Sequence, residues 1–394
     1  MKKNIPLSTP YFFGNEKKYV NECIDTEWVS TAGKYVENFE HKIQKYTKSK
    51  YAIACTSGTS ALHIALILSG AKINTEVIVS TMTFIAPINA ISYCSSKPIF
   101  MDVDDDYGID IKKTISFIEN ETVFKNNVTY NKKSGKIIPA LIVVHIYGRS
   151  VFFEELESVC KKRNILIIED AAEGLGNFYL TGKNKNKHVG TIGSFGCLSF
   201  NGNKVITSGG GGMILTNNKK LALKAKSLTT QAKKDPVFFI HDDIGYNYRL
   251  TNIQAALGIA QLKQLDKFVK IKRKIGNKYK SQLRNINHVL QPLKKLKYCE
   301  NIYWVYGLVI KKESKLKLDE IRKQLFKKGI ETRNFFWPLN KQPILKKMGY
   351  FKNQKFPVAE FLGKNGFYIP TGLALTEKQQ NYVIRNIKNV LKNE

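Results

Sequence analysis

Between residues 51 and 170 the chain alternates short apolar runs with stretches of helix length, and this alternation constrains the fold more than any other feature. The runs are Tyr51–Cys55, Val77–Val79, Ile99–Met101, Ala140–Val144 and Ile165–Ile168. Between them lie Thr59–Ser69, Ile85–Ser92 and Phe153–Arg163. Parallel neighbours in a sheet need a crossover of about helix length, so the pattern predicts an α/β domain with a mostly parallel sheet. The runs are apolar throughout, as suits strands covered on both faces. Helical spacing also runs from Glu16 to Ile24 and from Val36 to Tyr46, while the polar residues 121–136 suggest a loop or small hairpin inserted before a strand. From about residue 253 one long amphipathic helix is expected to pass Gln261 and Leu265 toward Tyr279. It would link a large domain with an N-terminal arm, residues 1–260, to a smaller C-terminal α+β domain, residues 261–394.

Composition narrows the classes of function. No run reaches the roughly 18 apolar residues of a membrane span, so membrane insertion is not expected. Met1–Pro6 lacks an apolar signal core, and a cytoplasmic location is the expectation. The six cysteines form no C-x-x-C pair and the histidines no H-x-x-x-H pair, which argues against a metal site and a disulfide framework. The net charge is +31, of which residues 201–394 carry +27. Such a field attracts polyanions. Its lysines, however, are spread along helical segments and arginine is scarce, so a solvated surface is favoured over nucleic-acid binding.

Ligands of α/β sheets gather at the carboxyl ends of strands, and four such ends carry chemistry here. After the first run, Thr56-Ser57-Gly58-Thr59-Ser60 opens a helix whose amides and dipole suit a phosphate, or whose serine merely caps it. After the second, Phe84 can stack on a flat ring or belong to the core. After Ile165–Ile168, Asp170 falls at a buried strand end, where a carboxylate needs a partner. A protonated pyridine nitrogen would be one, and a helix N-cap is the plainer reading. The fourth is Gly193–Gly212, an apolar run, a turn holding Lys204, and four consecutive glycines. So many small residues imply close approach to the backbone. A partly desolvated lysine there can form a Schiff base, and Ser199 can donate to the same phosphate as the Gly58 and Thr59 amides. A phosphate cradle, an aromatic lid, a buried acid and a lysine, in that chain order, describe a site for pyridoxal 5′-phosphate joined to Lys204. No G-x-G-x-x-G follows a strand, no P-loop precedes the lysine and no G-x-S-x-G occurs.

At this point the chain resembles the DegT/DnrJ/EryC1/StrS sugar-nucleotide aminotransferases, pyridoxal phosphate enzymes of fold type I. The residues that carry the likeness are Trp28–Gly33, Ser57–Leu62, Thr83-Phe84, Val144–Gly148, Glu169–Glu173, Ser199–Lys204 and Gly245–Asn252. Within the family, the Asn201–Lys204 turn with its glycines, the 121–136 insertion and Leu228–Lys233 look like the 4-aminotransferase branch serving legionaminic acid or bacillosamine-type sugars. A perosamine-type GDP-sugar 4-aminotransferase and a 3-keto sugar aminotransferase are the alternatives, and a non-catalytic sensor of the same fold is the different class. Relatives that dehydrate sugars replace the lysine, so Lys204 favours transamination.

The resemblance implies L-glutamate as donor, a nucleotide-linked 4-keto-6-deoxy-hexosamine as acceptor, and a homodimer with shared sites. It implies that Lys204 and Asp170 are catalytic, that Glu173 lies at the ring hydroxyl, and that Asn247 reaches the partner's cofactor phosphate. Substrate contacts are expected from Trp28, Thr31, Asn203 and the Trp337 loop. His145 and Tyr147 either face the site or are structural. Arg249, Arg333 and Lys341 are candidates for the diphosphate, with plain surface charge as the other reading.

Overall fold

The computed structural model describes residues 4–235, 237–284, 286, 289–290, 296–351 and 354–392. Nine strands build the main sheet: β1 Tyr51–Cys55, β2 Thr75–Ser80, β3 Lys97–Met101, β4 Thr122–Lys125, β5 Val128–Asn131, β6 Ile137–Val144, β7 Leu166–Asp170, β8 Phe195–Ser199 and β9 Gly212–Thr216. Their spatial order is β1-β9-β8-β7-β6-β2-β3, with the β4–β5 hairpin hanging from β6. Residues 121–136 are therefore a hairpin rather than a loop. The neighbours from β3 to β8 pair in parallel, whereas β9 is antiparallel to both β8 and β1. All of β1, β2, β6, β7 and β8 consequently point their carboxyl ends to one edge. Val144 pairs with Asp170, and Asp170 with Cys197, so these strands finish almost level.

Helices α1 Glu16–Asp25, α2 Lys34–Thr47, α3 Gly58–Leu68, α4 Ala86–Tyr93, α5 Ile111–Asn120, α6 Glu154–Lys162 and α7 Lys219–Thr229 accompany the sheet. Helix α3 is buried along nearly its whole length, from Gly58 to Leu66 apart from Thr59, as expected of a helix apolar on all sides. The long helix expected from residue 253 is two helices, α8 Asn252–Leu262 and α9 Leu265–Gln282. The Gln264 amide turns back to the Gln261 carbonyl at 2.9 Å, tightening the last turn of α8. Gln261 also pins that turn, donating from Nε2 to Tyr11 O at 2.9 Å and Glu16 Oε1 at 2.6 Å. Helix α8 is buried on most sides, whereas α9 buries only a stripe running from Leu265 through Phe268 to Tyr279. Sequence periodicity did not register the change of partner.

A short antiparallel pair, β10 Lys233–Asp235 and β11 Ile240–His241, precedes α8. The C-terminal segment holds β12 Val289–Leu290, β13 Tyr306–Ile310, β14 Arg333–Asn334 and β15 Gly366–Ile369 with helices α10 Leu318–Lys327, α11 Pro343–Lys347, α12 Pro357–Asn365 and α13 Glu377–Lys392. These strands form an antiparallel sheet, β12-β13-β15-β14. A second apolar cluster forms around it from Tyr306, Ile321, Phe367 and Val383, joined by Tyr279 of α9 and by Ile5 of the N-terminal arm. The arm is stitched on by its backbone, Ile5 N to Gly329 O at 2.8 Å and Glu331 N to Ile5 O at 3.1 Å.

Candidate active site

The start of α3 is built by reciprocal capping. Ser57 Oγ accepts the Ser60 amide at 3.0 Å, and Ser60 Oγ accepts the Ser57 amide at 2.9 Å. The Gly58 and Thr59 amides, in the first turn, have no intrahelical acceptor and face outward with the positive end of the dipole. The end of β8 lies against this turn. A Cβ on Gly58 would sit 2.9 Å from Ser199 Cβ, so glycine is what lets the two approach. The glycine run after Lys204 meets the same turn from the other side: a Cβ on Gly212 would fall 2.3 Å from Ser57 O. The close approach expected at these glycines is thus made by the chain itself.

Strand β7 ends on two buried carboxylates that point to opposite faces. Glu169 turns away from the cavity. It accepts Gly190 N at 2.8 Å, Ile192 N and Gly193 N at 2.7 Å each, and pairs with His145 Nε2 at 2.9 Å. Burial alone would raise its pKa; the His145 bond and these amides reverse that and leave it below the usual carboxylate range. Asp170 turns into the cavity and accepts one amide, from Ala172 at 3.1 Å. Burial pushes Asp170 up, against the pull of that amide and of the Lys204 charge.

Lys204 projects from the turn between β8 and β9, its own amide bonded to Asn201 O at 3.0 Å. Its Nζ lies 3.3 Å from Glu173 Oε1 and 4.5 Å from the centre of the Trp304 ring. Glu173 also takes the Tyr147 amide at 2.6 Å, and burial raises its pKa against the pull of Lys204. These groups share a cavity of about 480 Å³. Gly58, Thr59, Ser199, Asn203, Arg333 and Trp337 also line it. Phe84 is 58% exposed and stands at the rim, 5.7 Å from Phe336, so the core alternative for it fails.

The remaining expected residues are engaged in other ways. His145 reaches the cavity wall, but both ring nitrogens are used: Nδ1 accepts the Val151 amide at 3.1 Å and Nε2 faces Glu169. Both ring nitrogens are thus engaged within the protein, while the ring borders the cavity. Tyr147 is buried, its hydroxyl accepts the Phe336 amide at 2.8 Å, and it does not line the cavity. Lys341 pairs with Glu360 at 2.8 Å, away from the cavity. Arg249 donates to Thr31 O at 2.8 Å, and neither these two nor Trp28 and Asn247 line the cavity of their own chain. Conversely, Thr83, Trp304, Phe336 and Tyr368 line it without having been singled out as contacts. An aromatic residue such as Trp304, Phe336 or Tyr368 reads as core in the sequence, and only the fold turns these three toward the site.

A family model described as the DegT/DnrJ/EryC1/StrS aminotransferase family matches residues 12–388. The chain belongs to this family. It is 38% identical to the GDP-perosamine synthase of Escherichia coli O157:H7 over 385 residues, 98% of each chain. It is 32% identical to the UDP-4-amino-4,6-dideoxy-N-acetyl-beta-L-altrosamine transaminase of Campylobacter jejuni over 322 residues, 81% of this chain and 80% of that one. The solved PLP form of Spr1654 from Streptococcus pneumoniae has the same fold, with a TM-score of 0.86 at 21% identity and 99% of each chain covered.

The chain is a sugar aminotransferase, and its cofactor is pyridoxal phosphate. The residues present fit that group. Asp170 is buried at the cavity wall with one amide and no ion pair among the described residues, so a ring N–H⁺ suits it as a partner, while Glu173 already pairs with Lys204. Thr83 Oγ1 is buried on the cavity wall with no partner among the described residues. Gly58 keeps the helix start open where a side chain would meet Ser199.

Proposed function

We propose that the enzyme moves the amino group of L-glutamate to C4 of a nucleotide-linked 4-keto-6-deoxy-N-acetylhexosamine. The observation that carries this reading is the convergence of Lys204, Asp170 and the opening turn of α3 on one cavity in a member of a sugar aminotransferase family. Pyridoxal phosphate, when bound, supplies an aldehyde that accepts amines and a ring that takes up electron density. Lys204 Nζ is the group that joins it, and the proton carrier. It takes a proton from the α-carbon of glutamate in one half-reaction and delivers one to the sugar C4 in the other. Asp170 holds the proton on the ring nitrogen, and the cation there balances the carboxylate that burial leaves short of partners. The Gly58 and Thr59 amides and the Ser199 hydroxyl hold the phosphate. Glu173 orients Lys204 and would be the partner of the ring hydroxyl. Phe84 offers its ring at the rim.

Arg333, Asn203 and Trp337, on the remaining walls, receive the sugar nucleotide, and the basic second half of the chain draws in its diphosphate. Asn247, exposed and outside its own cavity, serves the phosphate of a partner protomer, which makes the active form a homodimer. The division into residues 1–260 and 261–394 is part of the same reading, with the second apolar cluster in its favour. A bacterial surface glycan or nonulosonate pathway in the cytoplasm is the setting.

The test is a panel of UDP- and GDP-linked 4-keto-6-deoxy sugars incubated with glutamate, with products read by mass spectrometry and NMR. A new C4 amine supports the reading; a panel left unchanged, with 2-oxoglutarate absent, defeats it. The greater likeness to a GDP-perosamine synthase, 38% over 98% of the chain, favours a GDP-linked sugar without the N-acetyl group as the second reading. The GDP arm of the panel decides between them.

A further inference from the structure

Behind Lys204 lies a chain of contacts that the reaction as described does not use. Lys272 of α9 is buried, and its Nζ donates to two main-chain carbonyls, Trp304 O and Thr371 O, at 2.8 Å each. No carboxylate faces it among the described residues, and burial brings it down to about 7. As a neutral amine it still has two N–H donors, one for each carbonyl. Thr371 Oγ1 adds a bond to Trp304 O at 3.3 Å. The Trp304 main chain is thus held from the far side. Its side chain is held from the near side, with Nε1 donating to Asn203 O at 2.7 Å in the lysine turn itself. The ring then lies with its centre 4.5 Å from Lys204 Nζ. An aromatic face attracts an ammonium and not a neutral amine.

Resting on the reading of Lys204 given above, we propose that the Trp304 ring is the seat of the Lys204 ammonium whenever that lysine is free of cofactor, and that Lys272 is the positioning residue that holds Trp304 there. The lysine must leave the cofactor as a neutral amine when glutamate arrives and take the α-proton; it is then an ammonium, which the ring face holds until the proton is passed on. Glu173 supplies an anion 3.3 Å from it, and Trp304 a ring face 4.5 Å from it. The lysine is then parked at a fixed point instead of sweeping the cavity. Such restraint bears on the proton-transfer step and little on donor binding.

Two substitutions separate the ring face from the N–H. Trp304→Phe keeps an aromatic face and loses the bond to Asn203; Trp304→Leu loses both. Each holoprotein is reduced with borohydride and digested, and the mass of the Lys204 peptide records where the cofactor was joined. Single-turnover reaction with glutamate is then followed by cofactor absorbance. The expected result is labelling at Lys204 in all forms and a rate within about threefold of the parent for Trp304→Phe. For Trp304→Leu the step slows about tenfold, with KM for glutamate within about twofold. An unchanged rate in Trp304→Leu overturns the proposal, and so does equal slowing in both variants, which assigns the effect to the Asn203 bond. Absence of label on Lys204 in the parent protein overturns the reading of Lys204 instead. Lys272→Met keeps the stem and removes both donors. It is expected to slow the same step, and to add nothing further to Trp304→Leu. Additive slowing removes Lys272 from the proposal, and the Trp304 pair remains decisive if that variant does not fold.

Discussion

Strand β7 finishes on two adjacent carboxylates, and the two sides of the sheet treat them differently. On one side Glu169 gathers three amides and an imidazole, and its pKa falls below the usual range despite complete burial. On the other side Asp170 has one amide, and its pKa rises. Their sequence neighbourhood is the same, so the difference lies in what the fold brings to each. A buried acid that the protein satisfies itself is a fastener, tying β7 to the 190–193 loop. A buried acid left short of partners is a vacancy for a cation, and here it faces the cavity.

The largest effect tests the cavity side. Lys204→Ala removes the proton carrier and is expected to lower turnover about a thousandfold or more, with far-ultraviolet circular dichroism unchanged. A near-normal rate would erase the functional half of the contrast. Asp170→Asn keeps the shape and removes the charge, and turnover is expected to fall about a hundredfold or more. The same change should raise the melting temperature of the cofactor-free protein. A folded pKa above the unfolded one means that the charged carboxylate costs stability at neutral pH, a cost relieved as pH falls through the folded value.

Glu169→Gln should do the opposite. It is expected to cost about 3 kcal/mol of stability, read by urea unfolding, while cofactor still joins Lys204. Its lowered pKa places the Glu169 contribution above the unfolded carboxylate value, to be lost as pH falls through the folded one. If both variants shifted stability in the same direction, the distinction between the two faces would not hold. Gly58→Ala places a methyl 2.9 Å from Ser199 Cβ and should weaken cofactor affinity about tenfold, measured by fluorescence titration. The last test concerns Lys272, a buried amine with no carboxylate facing it among the described residues. Its folded pKa of about 7 lies below the unfolded value, so its contribution makes stability rise from about pH 7 toward pH 10. Lys272→Met should flatten that slope in the difference between the two melting profiles.

The cavity side of the contrast was legible in the sequence because strand ends, caps and turns are local. Apolar runs fixed where β7 and β8 finish, so Asp170, Ser199 and the opening of α3 could be placed on one edge by counting. The opposite wall was less legible. Trp304, just before β13, and Tyr368, in β15, arrive from the C-terminal segment, and nothing near them in the chain marks them as anything but core. His145 and Tyr147 follow a strand just as Asp170 ends one, yet their polar atoms go to Glu169, Val151 and Phe336, partners up to 189 residues away. The break between α8 and α9 was missed because periodicity reports an apolar stripe and not the body it packs on.

The antiparallel strand β9 has a consequence for how the enzyme tolerates losing its cofactor. Phe200 and Gly211 close the base of the lysine-bearing turn with a 2.9 Å amide bond, and Gly211 N donates to Thr56 O at 2.9 Å, beside the phosphate cradle. The spacing between anchor and nucleophile is therefore written in main-chain bonds and survives an empty interval. Reloading should behave as a simple bimolecular encounter, its rate proportional to vitamin concentration, with no slow conformational phase ahead of capture.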